Sequence, residues 1–389
     1  MSRRRVTIDT RLQCDKINKL FSPLKEDEMS PEIRVSADAL RDFTKSVFVK
    51  VGAPAEDAEK VASVLVWANL RGVDSHGVQL VPWYVEAADI GHIKVKPNIR
   101  IEKETPATLL IDADHAFGAV VTVFAMQKVM AKAKKVGIGW ALIRKHNHQG
   151  TMGYYPLLAA EKGMAGITFL GGNTTTAPFG AKFPGIANNP IAIAVPGKKH
   201  RPLVLDMALS QAAGAKLILA KEKGLPIPQG WAFDKNGNST TDPSKAAFLT
   251  PLGGPKGSGL SIMIECLTGV LVDFPKVEPV VTYKEPPYGL GSPAGNPERM
   301  RRHIQNSTVA AIDISQFTDV ESYKEHIDSL IDGIKGLPKA EGFTEIFVPG
   351  EPEWRTMDQR MKSGIPIPEK TFANLSKVGE RFGLKLTAE

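Results

Sequence analysis

Arg71-Gly72-Val73-Asp74-Ser75-His76-Gly77 is the stretch from which the rest of the chain can be read. Upstream of it, Val61, Val64, Leu65 and Ala68 recur at helical spacing, so residues 54–70 read as a helix with one apolar stripe. Pro54 suits the first turn, and Gly72 suits a left-handed residue just past the end. An acid, a hydroxyl and an imidazole follow, then a second glycine. A helix that stops and at once displays Asp74, Ser75 and His76 reads as a loop built to present them. Imidazole is the side chain that titrates nearest neutrality, so it gives or takes a proton with little tuning. A capped helix end with a solvated histidine explains these seven residues equally well. What surrounds them has to decide.

The chain has 389 residues, 42% apolar and 23% charged, which leaves room for two domains with large cores. No apolar run approaches the roughly 20 residues that a membrane span needs. Residues 1–5 are basic but lack the apolar segment of a signal peptide, so a cytoplasmic protein is expected. Cys14 and Cys266 lie far apart in unlike contexts, which argues against a disulfide framework. Cys266, within an apolar helix-like run, is expected to be buried. The net charge of +7 raises nucleic acid as a partner. The basic residues are scattered, however, with short clusters at 3–5, 198–201 and 299–303, and no aromatic residues interleave with them. A small anionic substrate, drawn in by the field, fits the charge as well.

Residues 1–30 are polar and aperiodic and are expected to form a mobile extension. Ser36 suits the cap of a helix carrying Leu40, Phe43 and Val47. Helices are expected over 81–90 and 117–135, with a strand over 108–111. From Gly137 the texture changes to strand-like runs at 138–143, 166–170, 190–195 and 202–205, separated by Gly, Pro and Asn. Helices over 152–162, 210–223 and 257–271 fall among and after them. Residues 273–300 read as a long Pro/Gly-rich loop. An amphipathic helix over 319–334 puts Tyr323, Ile327, Leu330 and Ile331 on one side. A strand over 343–348 and a helix over 371–382 close the chain. The expected organisation is α/β: a discontinuous helical domain (31–136 and 306–389) and a sheet domain (137–305).

Three further stretches carry chemistry. His146 and His148 flank Asn147 just after the strand at 138–143; on extended backbone they point the same way, so a metal is conceivable. Two histidines without an obvious third ligand are weak support for one, and His148 facing a ligand at a strand-to-helix junction is at least as natural. Residues 171–180 form a Gly/Asn/Thr loop rich in donors, and Asn188-Asn189-Pro190 with Leu205-Asp206-Met207-Ala208 belong to the same region. Asp206 ends an apolar run, where a carboxylate needs a partner. Lys256 stands where a glycine-rich turn opens a helix at Gly257, a natural anion site. The spacing is not that of a Walker loop, and no Gly-x-Gly-x-x-Gly follows a strand, so a Rossmann dinucleotide site is not indicated.

In this order these motifs resemble the malate/L-lactate dehydrogenase family of type 2, over residues 36–382. The resemblance rests on Asp74-Ser75-His76-Gly77, Asn147-His148-x-Gly150, Asn189-Pro190, Leu205-Asp206-Met207-Ala208, Thr241-Asp242-Pro243, Leu252-Gly253-Gly254 with Lys256-Gly257, and Pro349-Gly350-Glu351. It implies a non-Rossmann cofactor domain with a largely antiparallel sheet, NAD or NADP as cofactor, and a homodimer. It also implies hydride transfer to 2-oxo acids or, in some relatives, cyclic imino acids. By resemblance His76 is the proton donor with Ser75 beside it. His148 matches a histidine to which some relatives assign the acid/base role; read from the residues themselves, Asp206 or Asp74 is expected to orient the His76 ring. Thr174, Asp206, Met207, Ala208, Lys256, Gly257, Gly350 and Glu351 match positions that hold the cofactor, and no metal is implied. Three departures bear on substrate. Leu80 stands where many relatives place an arginine that grips the substrate carboxylate. His146-Asn147-His148 replaces Ser-Asn-His, and Ala187-Asn188-Asn189-Pro190 replaces Gly-Thr-Asn-Pro. The readings from other classes are a metal-dependent hydrolase or lyase using His146 and His148, and a cofactor-binding protein without turnover.

Overall fold

The computed structural model describes residues 32–172, 174–273 and 304–388. The expected N-terminal extension, Cys14, nearly all of the 273–300 loop and the basic clusters at 3–5 and 299–303 lie outside the described residues.

β1 (Glu32–Val35) leads into α1 (Ala37–Val51), which Ser36 caps by accepting from the Ala39 N–H. α2 (Ala55–Leu70) carries the apolar stripe and ends at Gly72, whose φ is 76°. α3 (Val81–Asp89) follows, then β2 (Arg100–Glu104), β3 (Thr108–Asp112), α4 (Gly118–Val136) and β4 (Ile138–His146). The chain continues through α5 (Tyr154–Ala160), β5 (Met164–Gly171), β6 (Ile191–Val195), β7 (Leu203–Met207) and α6 (Gly214–Glu222). A small sheet of β8 (Ala232–Phe233), β9 (Ser239–Thr240) and β10 (Phe248–Leu249) precedes α7 (Pro255–Thr268). β11 (Gln305–Asp313), α8 (Val320–Lys335), α9 (Glu351–Ser363), β12 (Ile365–Pro368) and α10 (Glu369–Arg381) complete the described chain.

The main sheet has the order β2-β3-β4-β11-β5-β6-β7. Only β3 and β4 run parallel; the other neighbours are antiparallel, so the sheet is largely antiparallel as expected. β2 and β3 join it from before residue 137. α4 lies against the sheet through Met126, Val129 and Ala133. The approach is close at Gly139, where a Cβ would strike the Val129 carbonyl. α1, α2 and α3 extend the same core outward with Leu40, Phe48, Leu65 and Tyr84. β12 pairs with β1 and ties the two ends of the described chain together.

Several expectations are corrected. Residues 343–348 form no strand; Phe343 and Phe347 are exposed on a loop, so the alternation there never meets a partner strand. Leu330 is exposed although Ile331, one position on, is buried. Cys266 is exposed because α7 turns its sheet-facing side inward with Ser261, Ile264 and Thr268 instead. α7 begins at Pro255, so Lys256 lies inside its first turn. Among the described residues no helix is long and apolar enough to cross a membrane.

Candidate active site

The loop after α2 is held from both sides. Asn69, in the last turn of α2, accepts from the Val78 N–H at 2.8 Å and donates to Asp74 at 2.6 Å. Arg360 of α9 grips both oxygens of Asp74 at 2.7 and 3.0 Å and also donates to the Asn69 carbonyl. Gly77 leaves room for this packing, since a Cβ there would collide with the Asn69 amide. Asp74 is thus a structural anchor. Ser75 Oγ lies 2.9 Å from His76 Nδ1, so the imidazole is presented on a short, braced turn.

His148 is placed by a break in β4. Lys145 takes a left-handed φ of 57°, alongside Asp114 and His115 with φ of 49° and 60°. The Asn147 amide then ties the chain to the carbonyls of His92 and His115, at 3.3 and 2.9 Å. The strand ends at His146, and the Asn147 amide fixes the turn that follows, so the two histidines do not share one face of extended backbone. His146 is buried, its Nδ1 donating to the Asn147 carbonyl at 2.7 Å, and does not line the cleft. The expectation that His146 and His148 share a direction is therefore corrected. Among the described residues no three His, Cys, Asp or Glu side chains gather to hold a metal. His148 Nδ1 accepts from the Gly150 N–H at 3.2 Å and lies 2.7 Å from the Tyr84 hydroxyl. A backbone N–H only donates, so Nδ1 carries the lone pair and Nε2 the proton. Burial pushes the Tyr84 phenol well above its ordinary range, which keeps it a neutral donor. The rings of His76 and His148 stand 5.6 Å apart.

Asp206, near the end of β7, completes the group. It accepts from Thr151 Oγ1 at 2.7 Å and from the Gly153 N–H at 2.6 Å. It is open to the cleft yet deep within the body of the protein. That depth pushes its carboxyl pKa up, against those two hydrogen bonds and the nearby charges of His76 and Arg71. Burial likewise pushes His76 down, and Asp206 works against the shift. Ser75, His76, His148, Asp206, Met207 and Ala208 all line one cleft of about 590 Å³. Its far end reaches Ala213 and Gly214 at the N-terminus of α6. Gly350, with φ of 87°, forms part of its wall so close to Val204 that a Cβ would press on the Val204 backbone.

The remaining site residues from the sequence lie elsewhere. Thr174 follows β5 outside the cleft walls, and Lys256 is exposed on α7. Gly257 packs beneath the Leu252 carbonyl. The turn before α7 nevertheless abuts the cleft, because the Leu252 N–H donates to the Leu209 carbonyl at 2.8 Å, one residue beyond Ala208. Glu351 faces away, bound by Lys335 at 2.7 Å and Arg355 at 2.6 Å. Sequence reasoning missed Thr151, Tyr84 and, above all, Arg71, which lines the cleft. Leu80 is buried in the main core.

The cleft thus gathers two imidazoles, a carboxylate with a raised pKa and glycine walls at the edge of a largely antiparallel sheet. The chain belongs to the malate/L-lactate dehydrogenase family, whose profile matches residues 35–376. The family comprises oxidoreductases acting on CH–OH groups. The chain is 38% identical to a malate dehydrogenase of Pyrococcus horikoshii, covering 91% of this chain and 96% of that one. It is 40% identical to an L-sulfolactate dehydrogenase of Methanocaldococcus jannaschii, covering 87% and 94%. It is 30% identical to a ureidoglycolate dehydrogenase (NAD(+)) of Escherichia coli O157:H7, covering 88% and 95%. Among solved structures, the sulfolactate dehydrogenase of Methanocaldococcus jannaschii superposes with a TM-score of 0.80 at 37% identity, covering 91% of this chain and 98% of that one.

Proposed function

We propose that this protein is an NAD- or NADP-dependent dehydrogenase that interconverts a small 2-hydroxy acid and its 2-oxo acid in the cytoplasm, as a homodimer. The observation that carries the reading is the meeting of His76, His148 and Asp206 in one cleft large enough for a ligand of this class. The nicotinamide supplies or takes the hydride. The protein orients the substrate and moves the proton.

In the reduction, negative charge grows on the carbonyl oxygen and His76 donates to it; in the oxidation, neutral His76 takes the hydroxyl proton. Ser75 holds the imidazole through Nδ1, and Asp206 stabilises its cationic form. His148, with its proton fixed on Nε2, presents a neutral donor across the cleft. The glycine wall at Gly350 and the helix N-terminus at Gly214 suit a dinucleotide pyrophosphate, which needs close backbone approach and N–H donors. Met207 and Ala208 border the same groove. Thr174, Lys256 and Gly257 serve the outer part of the dinucleotide, and Glu351 acts by fixing the Gly350 turn. In this division residues 137–305 hold most of the cofactor, 31–136 and 306–389 carry the substrate loop and the dimer contact, and the second of these segments adds the Gly350 turn to the cofactor groove. Reduction of cyclic imino acids would use the same proton donor on nitrogen.

The experiment is a panel of 2-oxo acids and cyclic imines scored by NADH and NADPH oxidation, repeated with His76→Asn and His148→Asn. Turnover should fall about 100- to 10,000-fold in His76→Asn with cofactor affinity near normal. If only His148→Asn shows that pattern, the two roles are exchanged.

A further inference from the structure

Arg71 is a buried cation at the cleft whose charge Glu353 and Asp206 offset only from a distance, and one of whose donors has no acceptor. It caps α2 at the head of the His76 loop, and its side chain is 3% exposed. The guanidinium lies between two indoles, 4.7 Å from the Trp67 ring centre and 4.3 Å from that of Trp354. Trp354 is fixed in turn by its Nε1, which donates to the Pro202 carbonyl at 3.0 Å. With both faces of the guanidinium covered, its N–H groups are directed along the edge of the plane. Nη1 is buried without an acceptor in reach. The Glu353 carboxylate stands 4.0 Å from Nη2, beyond hydrogen-bond distance. Burial pulls the pKa of Arg71 down to about 10, which leaves it cationic at neutral pH. A charge held this deep is costly until something pairs with it. What Glu353 and Asp206 leave open is an acceptor at hydrogen-bond distance, and the planar fork suits an incoming carboxylate taken edge-on by two donors.

We propose that Arg71 binds the carboxylate of the 2-oxo or 2-hydroxy acid and so selects substrates that carry an anion beside the reacting carbon. This rests on the dehydrogenase reading above. It also resolves the absence of a cation at position 80, since Leu80 lies in the apolar core and cannot serve. The Trp67–Arg71–Trp354 stack sets the plane of the fork in advance, so little side-chain freedom is lost when the acid binds.

A dinucleotide phosphate offers the same anion chemistry, and the test separates the two. Arg71→Met and Arg71→Lys are compared with the unaltered protein for KM, kcat and the NADH or NADPH dissociation constant. The substrates are a 2-oxo acid that the unaltered protein reduces and the corresponding 2-oxo amide. Arg71→Met should raise KM for the acid about 10- to 100-fold, leave cofactor binding near normal, and erase the preference for acid over amide. Arg71→Lys, which keeps the charge but loses the fork, should fall between, and it decides by the same criteria should Arg71→Met fail to fold. Unchanged KM and unchanged acid preference would overturn the proposal. So would weakened cofactor binding with KM intact, which would assign Arg71 to a phosphate. Failure of the unaltered protein to reduce any 2-oxo acid with either cofactor would instead remove the dehydrogenase reading, and this proposal with it.

Discussion

His76 and Asp206 are both pushed by burial toward their neutral forms, and each opposes the other's shift. Oxidation of a hydroxy acid needs neutral His76, so its rate should climb with pH along a limb centred below the ordinary imidazole value of 6.5. Asp206→Asn removes the charge that holds that limb up, so the limb should move lower; kcat/KM profiles of both proteins check this. The same residue carries a stability prediction. The folded-state pKa of Asp206 lies above its unfolded value of 3.8, so the folded protein binds that proton more tightly. Stability from this group is therefore present below 3.8 and is lost as pH rises through the raised value. Ionised Asp206 is therefore expected to cost some stability at neutral pH, a cost reduced by the solvent that reaches it in the cleft. Asp206→Asn keeps an oxygen for Thr151 and Gly153, so it should raise Tm at pH 7 while cutting turnover. A lower Tm would contradict the direction. At this scale the sequence was legible where a residue type states its own chemistry. His76, His148 and a carboxylate ending an apolar run needed no tertiary knowledge. Arg71 sat within the opening stretch and was given no role there. Its role depends on Trp354, 283 positions further on, covering its second face.

The elements that carry the site are set by close backbone approaches. α4 begins at Gly118 directly against the carbonyls of Asn147 and His148, and a Cβ would collide with them. Gly118→Ala should force that loop away, costing about 1–3 kcal/mol of stability and at least tenfold in turnover through displacement of His148. Denaturant unfolding and initial rates measure the two effects, and a variant with normal stability and rate would show that the loop is not positioned there. The helices were legible because α1 and the first half of α2 keep an apolar stripe and α4 has helical composition with lysines in its last turn. β11, the centre of the sheet, was not. Its Gln305, Asn306, Ser307 and Thr308 are all buried, with Ser307 taking a bond from Gln149 at 3.0 Å and Asn306 from the Lys145 N–H at 3.1 Å. Polar residues such as Asn306, Ser307 and Thr308, satisfied by distant partners, look like loop in a linear reading. The converse error fell at 343–348, where alternation without a neighbouring strand is only an exposed loop held by Lys335 and Arg355 through Glu345.

Across the whole molecule, the cleft brings together the α2 loop, the turn after β4, the end of β7 and the Gly350 turn, and each contributes a different kind of group. The resemblance carried by the sequence matched this assembly in family and sheet type, while the position of the cation at the cleft emerged only from packing. The turn before α7 meets the cleft at Leu209. Lys256→Ala should accordingly weaken NAD(P)H binding more than substrate binding, as fluorescence titration and KM will show; an unaltered cofactor dissociation constant would detach α7 from the site. The most direct measurement of the central claim follows the hydride itself. The protein is incubated with a panel of 2-oxo acids and with NADH or NADPH deuterated at the transferable position of the nicotinamide, and the products are read by mass spectrometry. The expected result is a 2-hydroxy acid carrying the deuterium at the carbon that bore the carbonyl, formed by the unaltered protein and largely lost in His76→Asn. Absence of deuterium from every product, with both cofactors, would contradict hydride transfer at this site.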